Sequence, residues 1–193
     1  MARPREFDRN EVLEKAMQVF WSRGYEATSL TDLTRSMGLS KSSLYDTFGS
    51  KHGLFLEAID FYRENVSSQI RSIIGIDAPA RQVIANVLGR AVDRILDPVG
   101  KRGCLLNNTA VELGPNDTEA AARCSAGLAA VEDTFHRLLK RAQAEGQIAS
   151  DKDVRALARF FTSTINGIMV MGKADPDRAR LEDIARTAME VLD

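Results

Sequence analysis

With 193 residues, 44% apolar and 27% charged, the chain has the balance of a soluble globular protein, either one large domain or a small domain built onto a larger one. Its net charge of −1 does not announce a nucleic-acid partner: residues 1–52 hold eight Lys/Arg against seven Asp/Glu, and the remainder 18 against 20. The longest apolar run is a handful of residues (Ile168 to Met171), the opening MARPREFDRN is polar, and Cys104 and Cys124 make no disulfide framework. These exclude a membrane span and a disulfide scaffold and lead us to expect a cytoplasmic protein with no membrane partner.

The apolar spacing is helical nearly everywhere. Val12, Ala16, Val19 and Phe20 lie on one face of a first helix from about Asp8 to Arg23, stopped by Gly24. Thr28 or Ser29 caps a second, with Asp32 placed for a capping box, running to Met37 before Gly38. Ser40 caps a short third helix through about Thr47. Ser50 opens a long fourth, with Phe55, Ala58, Ile59, Tyr62, Val66, Ile70 and Ile73 as its stripe. Pro79 fits the first position of a fifth, which reaches about Asp97. Cys104 to Leu113 forms a short sixth and Asp117 to Glu145 a long seventh. Ser150 with Asp153 caps the eighth, and Asp175-Pro176 starts the ninth. With no strand-length alternation, the expected fold is all-α, about nine helices: a helix-turn-helix domain over residues 1–52 and a helical effector-binding and dimerisation domain over 53–193.

The sharpest segment is TSLTDLTRSMGLSKSSLYDTFGSK, residues 28–51. A capped helix, a glycine turn and a capping serine precede a short helix whose first half is small and polar. A helix entering the major groove needs that construction, because its first turn must approach base edges. Lys41, Ser42, Ser43 and Tyr45 meet the requirement, while Leu44 and Phe48, four apart, pin the helix on Leu30, Leu33 and Met37. The start of the second helix at Thr28 and Ser29, and Lys51 at the start of the fourth, are placed for phosphates.

The run GYEATSLTDLTRSMGLSKSSLYDTFGSKHGLFLEAI resembles the DNA-binding domain of the TetR family of bacterial regulators, over about residues 8–60. The resemblance implies three N-terminal helices on a palindromic double-stranded operator, an unknown small-molecule effector bound within the later helices, and a homodimer formed through the last two. It makes Thr28 and Tyr45 phosphate contacts, Lys51 a phosphate-binding lysine, and Lys41, Ser42 and Ser43 base-edge or backbone contacts. Thr47 stands where the family usually has His or Tyr. Asp46 adds a negative charge that either accepts from a cytosine amino group or faces solvent.

RGCLLNNTAVEL resembles the opening of the sixth helix in a subset of that family, close to the ligand cavity. Cys104, Asn108 and Glu112 are therefore candidate effector contacts. Cys104, beside Lys101 and Arg102, is either a contact for an electrophilic or small apolar effector or an inert buried thiol. Phe161, Ile165, Ile168, Ile184 and Ala188 are the candidate dimer interface. No catalytic residue, metal site or cofactor is expected: His52 and His136 stand far apart without ligand spacing. The two competing functions are a cysteine-dependent enzyme and a helical protein-interaction module. The expectation is a DNA-binding regulator, a repressor, and not an enzyme.

Overall fold

The computed structural model describes residues 7–75 and 77–193, so residues 1–6 of the expected first domain and polar N-terminus lie outside the described residues. Among the described residues there are nine α-helices and no strand: α1 (Arg9–Arg23), α2 (Leu30–Met37), α3 (Lys41–Phe48), α4 (Lys51–Ile74), α5 (Ala80–Leu96), α6 (Leu105–Glu112), α7 (Thr118–Ala144), α8 (Val154–Ala174) and α9 (Arg178–Glu190). A single 3-10 turn at Gly100–Arg102, not foreseen from the sequence, precedes α6. Two starts differ from expectation. Asp153, not Ser150, caps α8 by accepting from the N–H groups of Arg155 and Ala156, and Asp177, not Asp175-Pro176, caps α9. In each case the carboxylate immediately before the helix reaches the unpaired first-turn donors.

The chain packs as two compact units. Among the described residues the first comprises 7–65 together with Asn108–Cys124; the second comprises 66–75, 77–107 and Ser125–Asp193. By packing, the first unit therefore runs past residue 52. The reason is aromatic: Phe55 and Tyr62 of α4 meet Phe20 and Trp21 of α1 edge to face, at 4.9 and 5.3 Å between ring centroids. Val12, Ala16, Leu33, Leu44, Leu54 and Ile59 fill the rest of that core.

In the second unit α5, α8 and α9 pack on one another around Val83, Ile84, Leu88, Ile95, Phe135, Leu139 and Leu181. The first N–H groups of α5 are satisfied from a distance, Ala80 by Glu145 Oε2 at 3.0 Å and Arg81 by Gln147 Oε1 at 2.8 Å. This core corrects the interface read from sequence. Phe161 and Ile168 are fully buried and Ala188 is 3% exposed within the protomer itself, so they cannot meet a partner; Ile165 and Ile184 are half-buried against the same core. The side of α8 left open carries Phe160 (42% exposed), Val170 (58%) and Met171 (41%), with Gly167 over open space.

Candidate nucleic-acid interface

The α2–turn–α3 corner follows from local chemistry. Ser29 and Asp32 form a complete capping box: the Ser29 hydroxyl accepts from Asp32 N–H at 3.1 Å, and Asp32 Oδ2 accepts from Ser29 N–H at 3.1 Å and from its hydroxyl at 2.6 Å. Those bonds, with Arg23 alongside at 2.8 Å, hold the Asp32 carboxyl below its ordinary range. Gly38, at φ +69°, takes the left-handed conformation that ends α2, with its N–H on Thr34 O. Two residues later the Ser40 hydroxyl caps α3 by accepting from Ser43 N–H at 3.1 Å. Leu44 and Phe48 then turn inward, Phe48 beneath the Arg9 guanidinium at 4.8 Å, while Arg9 also pairs with Glu57 of α4.

That burial leaves the other side of α3 to solvent. Lys41, Ser42, Tyr45 (46% exposed) and Asp46 lie on it, and Ser43 and Thr47 are half-buried. Thr47 donates to Ser43 O at 2.7 Å, so its hydroxyl is turned back on the helix. Six of the predicted contacts are thus brought together on one eight-residue helix. Thr28 is not among them. Its residue is 1% exposed and its hydroxyl donates to Gly24 O at 2.5 Å, bracing the turn after α1, so a side-chain phosphate contact there would first have to break that bond.

Lys51, the first residue of α4, extends its ammonium over the Tyr25 ring at 4.3 Å from the centroid. Tyr25 also packs 4.8 Å from Phe55 and stands edge-on to His52 at 6.1 Å. Burial, then the nearby Glu26 and Asp117 carboxylates, push its phenol upward and keep it neutral. His52 Nε2 lies 2.7 Å from Asp117 Oδ2. Asp117 is held below the ordinary carboxylate range chiefly by the bond from Ala120 N–H, opposed next by burial, with His52 adding to the lowering.

The candidate effector residues separate. Cys104 is half-buried against the core of the second unit, whereas Asn108 and Glu112 belong to the first. Glu112 is committed to something other than an effector: its carboxylate accepts from Tyr25 N–H at 3.1 Å and Glu26 N–H at 2.9 Å. Those bonds span 87 and 86 residues, and no local pattern in the sequence signals them.

Two family descriptions match this chain: "Bacterial regulatory proteins, tetR family" over residues 12–58, and "Tetracyclin repressor-like, C-terminal domain" over residues 80–188. The chain belongs to the TetR family. This TetR-family protein is accordingly an all-α, DNA-binding transcriptional regulator with a helix-turn-helix at α2–α3. It is 34% identical, over the full length of both chains, to the uncharacterized HTH-type transcriptional regulator YezE of Bacillus subtilis. It is 30% identical to the HTH-type transcriptional repressor ComR of Escherichia coli, over 98% of this chain and 90% of that one. Among solved structures it resembles a cysteine mutant of the TetR family regulator CifR complexed with 26bp double-strand operator DNA. The TM-score is 0.89, with 34% identity over 99% of this chain and 100% of the other. These relatives are regulators, not enzymes. No helix among the described residues is long and apolar enough to cross a membrane.

Proposed function

We propose that the protein is a cytoplasmic, homodimeric repressor that binds a palindromic operator and leaves it when a small-molecule effector is bound. One observation carries this reading: whole-length similarity to CifR, which is complexed with operator DNA, in a chain whose α3 keeps its polar first half exposed. ComR, named a repressor, favours repression over activation.

In this reading Lys41, Ser42 and Ser43 meet base edges or backbone, and Tyr45 and Lys51 hold phosphates together with the N–H groups that open α2 after Ser29. Asp46 accepts from a cytosine amino group. Two α3 helices occupy half-sites about one helical turn apart, ~34–36 Å. The partner covers the open side of α8 at Phe160, Gly167, Val170 and Met171. An exposed apolar stripe beside a small residue is suited to close helix pairing. Cys104, half-buried against the core of the second unit, is the effector contact. The effector acts only through its difference in affinity for the bound and released conformers.

The test is anisotropy of labelled double-stranded fragments from DNA flanking the gene, over a range of salt. The expected result is binding that weakens steeply with salt and is lost in the Lys41→Ala/Tyr45→Ala double variant. Each base-edge or phosphate group removed should weaken binding roughly tenfold. Failure to bind any flanking fragment overturns the proposal. For Cys104, labelling by iodoacetamide no faster than a free thiol, with release unchanged in Cys104→Ser, removes it as the effector contact.

A further inference from the structure

The carboxylate of Glu112 sits where a capping group is needed. α1 ends at Gly24, whose N–H still bonds Phe20 O, but the next two amides, Tyr25 and Glu26, lie beyond the reach of helix carbonyls. Each of the two Glu112 oxygens takes one of them, a bidentate, charge-assisted grip on consecutive N–H groups. Space for this grip is made by the absence of a side chain at Gly24. A Cβ there would lie 2.8 and 2.9 Å from the two carboxylate oxygens, and the residue stands at φ +82°, a conformation that favours glycine.

What the grip holds is the residue on which Lys51 rests. The Tyr25 ring is wedged against Phe55 and carries the Lys51 ammonium on its face. A second carboxylate five positions from the first acts on the neighbour of Lys51: Asp117 caps the start of α7 through Ala120 N–H and pairs with His52. The α6–α7 corner therefore holds both the linker before α2 and the first turn of α4.

We propose that Glu112 is a positioning residue for operator binding, holding the Tyr25 backbone so that the Tyr25 ring sets the place from which Lys51 meets a phosphate. The inference rests on the reading of Lys51 as a phosphate contact. A purely structural Glu112 and a positioning Glu112 differ in what they do to salt dependence. Losing a phosphate contact lowers the slope of log affinity against log salt by about 0.9, whereas a general loss of folded protein leaves the slope alone.

The experiment uses the full chain and a flanking DNA fragment that it binds, titrated across potassium chloride concentrations. The variants are Lys51→Ala, Glu112→Ala, Glu112→Gln and the double variant Lys51→Ala/Glu112→Ala, with thermal unfolding recorded for each. Lys51→Ala should weaken binding roughly tenfold and lower the slope by about 0.9. Glu112→Ala should lower the slope in the same direction, and the double variant should bind within about twofold of Lys51→Ala alone, because the two act on one contact. Glu112→Gln keeps the size and one acceptor oxygen, and should fall between wild type and Glu112→Ala; it carries the test if the alanine variant does not fold. An unchanged slope in the Glu112 variants, or losses that multiply fully with Lys51→Ala, overturns the positioning role. An unchanged slope in Lys51→Ala overturns the phosphate role of Lys51 and this inference with it. Absence of binding by the wild type overturns the regulator reading itself.

Discussion

Each of the two units combines an apolar core with polar ties between distant parts of the chain, and they differ in what they leave open to solvent. In the first, polar groups far apart in sequence are joined: Arg9 to Glu57, His52 to Asp117, Arg123 to Asp60, and Glu112 to the Tyr25 and Glu26 amides. In the second, the interior of α5, α7, α8 and α9 is a continuous apolar cluster, and distant polar ties surround it too: Ala80 N–H to Glu145, Arg81 to Gln147 and Asp193, and Arg178 to Asp93. The first unit leaves the polar side of α3 open to solvent, whereas the second leaves open an apolar side of α8. Both cores should respond to changes of volume, and in the first unit the α2 cap and Asp117 should add responses to loss of a single polar partner and to pH.

The largest expected effect is in the second unit. Phe161→Ala removes a fully buried ring stacked 5.5 Å from Phe135 and should cost about 3–5 kcal/mol in chemical denaturation. Phe160→Ala, one residue away and exposed, should leave protomer stability nearly unchanged and weaken the dimer by sedimentation. The opposite pattern would restore Phe161 to the interface. Next comes overpacking. A Cβ at Gly172 would approach Ile95 Cγ1 and Cγ2 to 2.7 and 2.8 Å and Leu181 Cδ1 to 3.0 Å, so Gly172→Ala should lose about 1–3 kcal/mol. A stabilised variant would mean that the α5–α8–α9 packing is looser than drawn.

In the first unit the steps are smaller. Ser29→Ala dismantles the capping box and should cost about 1 kcal/mol, with an accompanying loss of operator affinity. If stability were untouched, the α2 start would not depend on its cap. The smallest effect is in acid. Asp117 has its folded-state pKa depressed below 3.8, so its contribution is complete above the unfolded value and fades as pH falls through the lower, folded one. Asp117→Asn should accordingly flatten the decline of stability below about pH 4 and change little of its slope near neutrality. A steeper acid decline in that variant would reverse the sign assigned here.

Near α2 and α3 the expectation from sequence came within a residue of the structure, because caps and turns there act on groups two to four residues away. Ser29 with Asp32, Gly38 and Ser40 are such signals, and each does in the fold what its type and spacing imply. Thr28 shows that even local reading can leave a choice. A threonine before a helix can turn its hydroxyl forward to the helix or back to a carbonyl four residues earlier, and here it takes Gly24 O. In α8 the period of 3.6 placed Phe160, Phe161, Ile165 and Ile168 on a helix but left two apolar sides, with no internal sign of which meets α5 and α9 and which stays open.

The amino-acid sequence by itself determined the nine helices, the groove-entering corner and the family. Those depend on short-range hydrogen bonding, on helical periodicity and on a motif about forty residues long. Tertiary structure alone decided that Phe161, Ile168 and Ala188 are core, and that Glu112 closes on the Tyr25 and Glu26 amides. These outcomes depend on which apolar surfaces find each other and which unpaired donors they bring near a carboxylate. The partners of Glu112 are 86 and 87 residues away, a separation that no local pattern can specify.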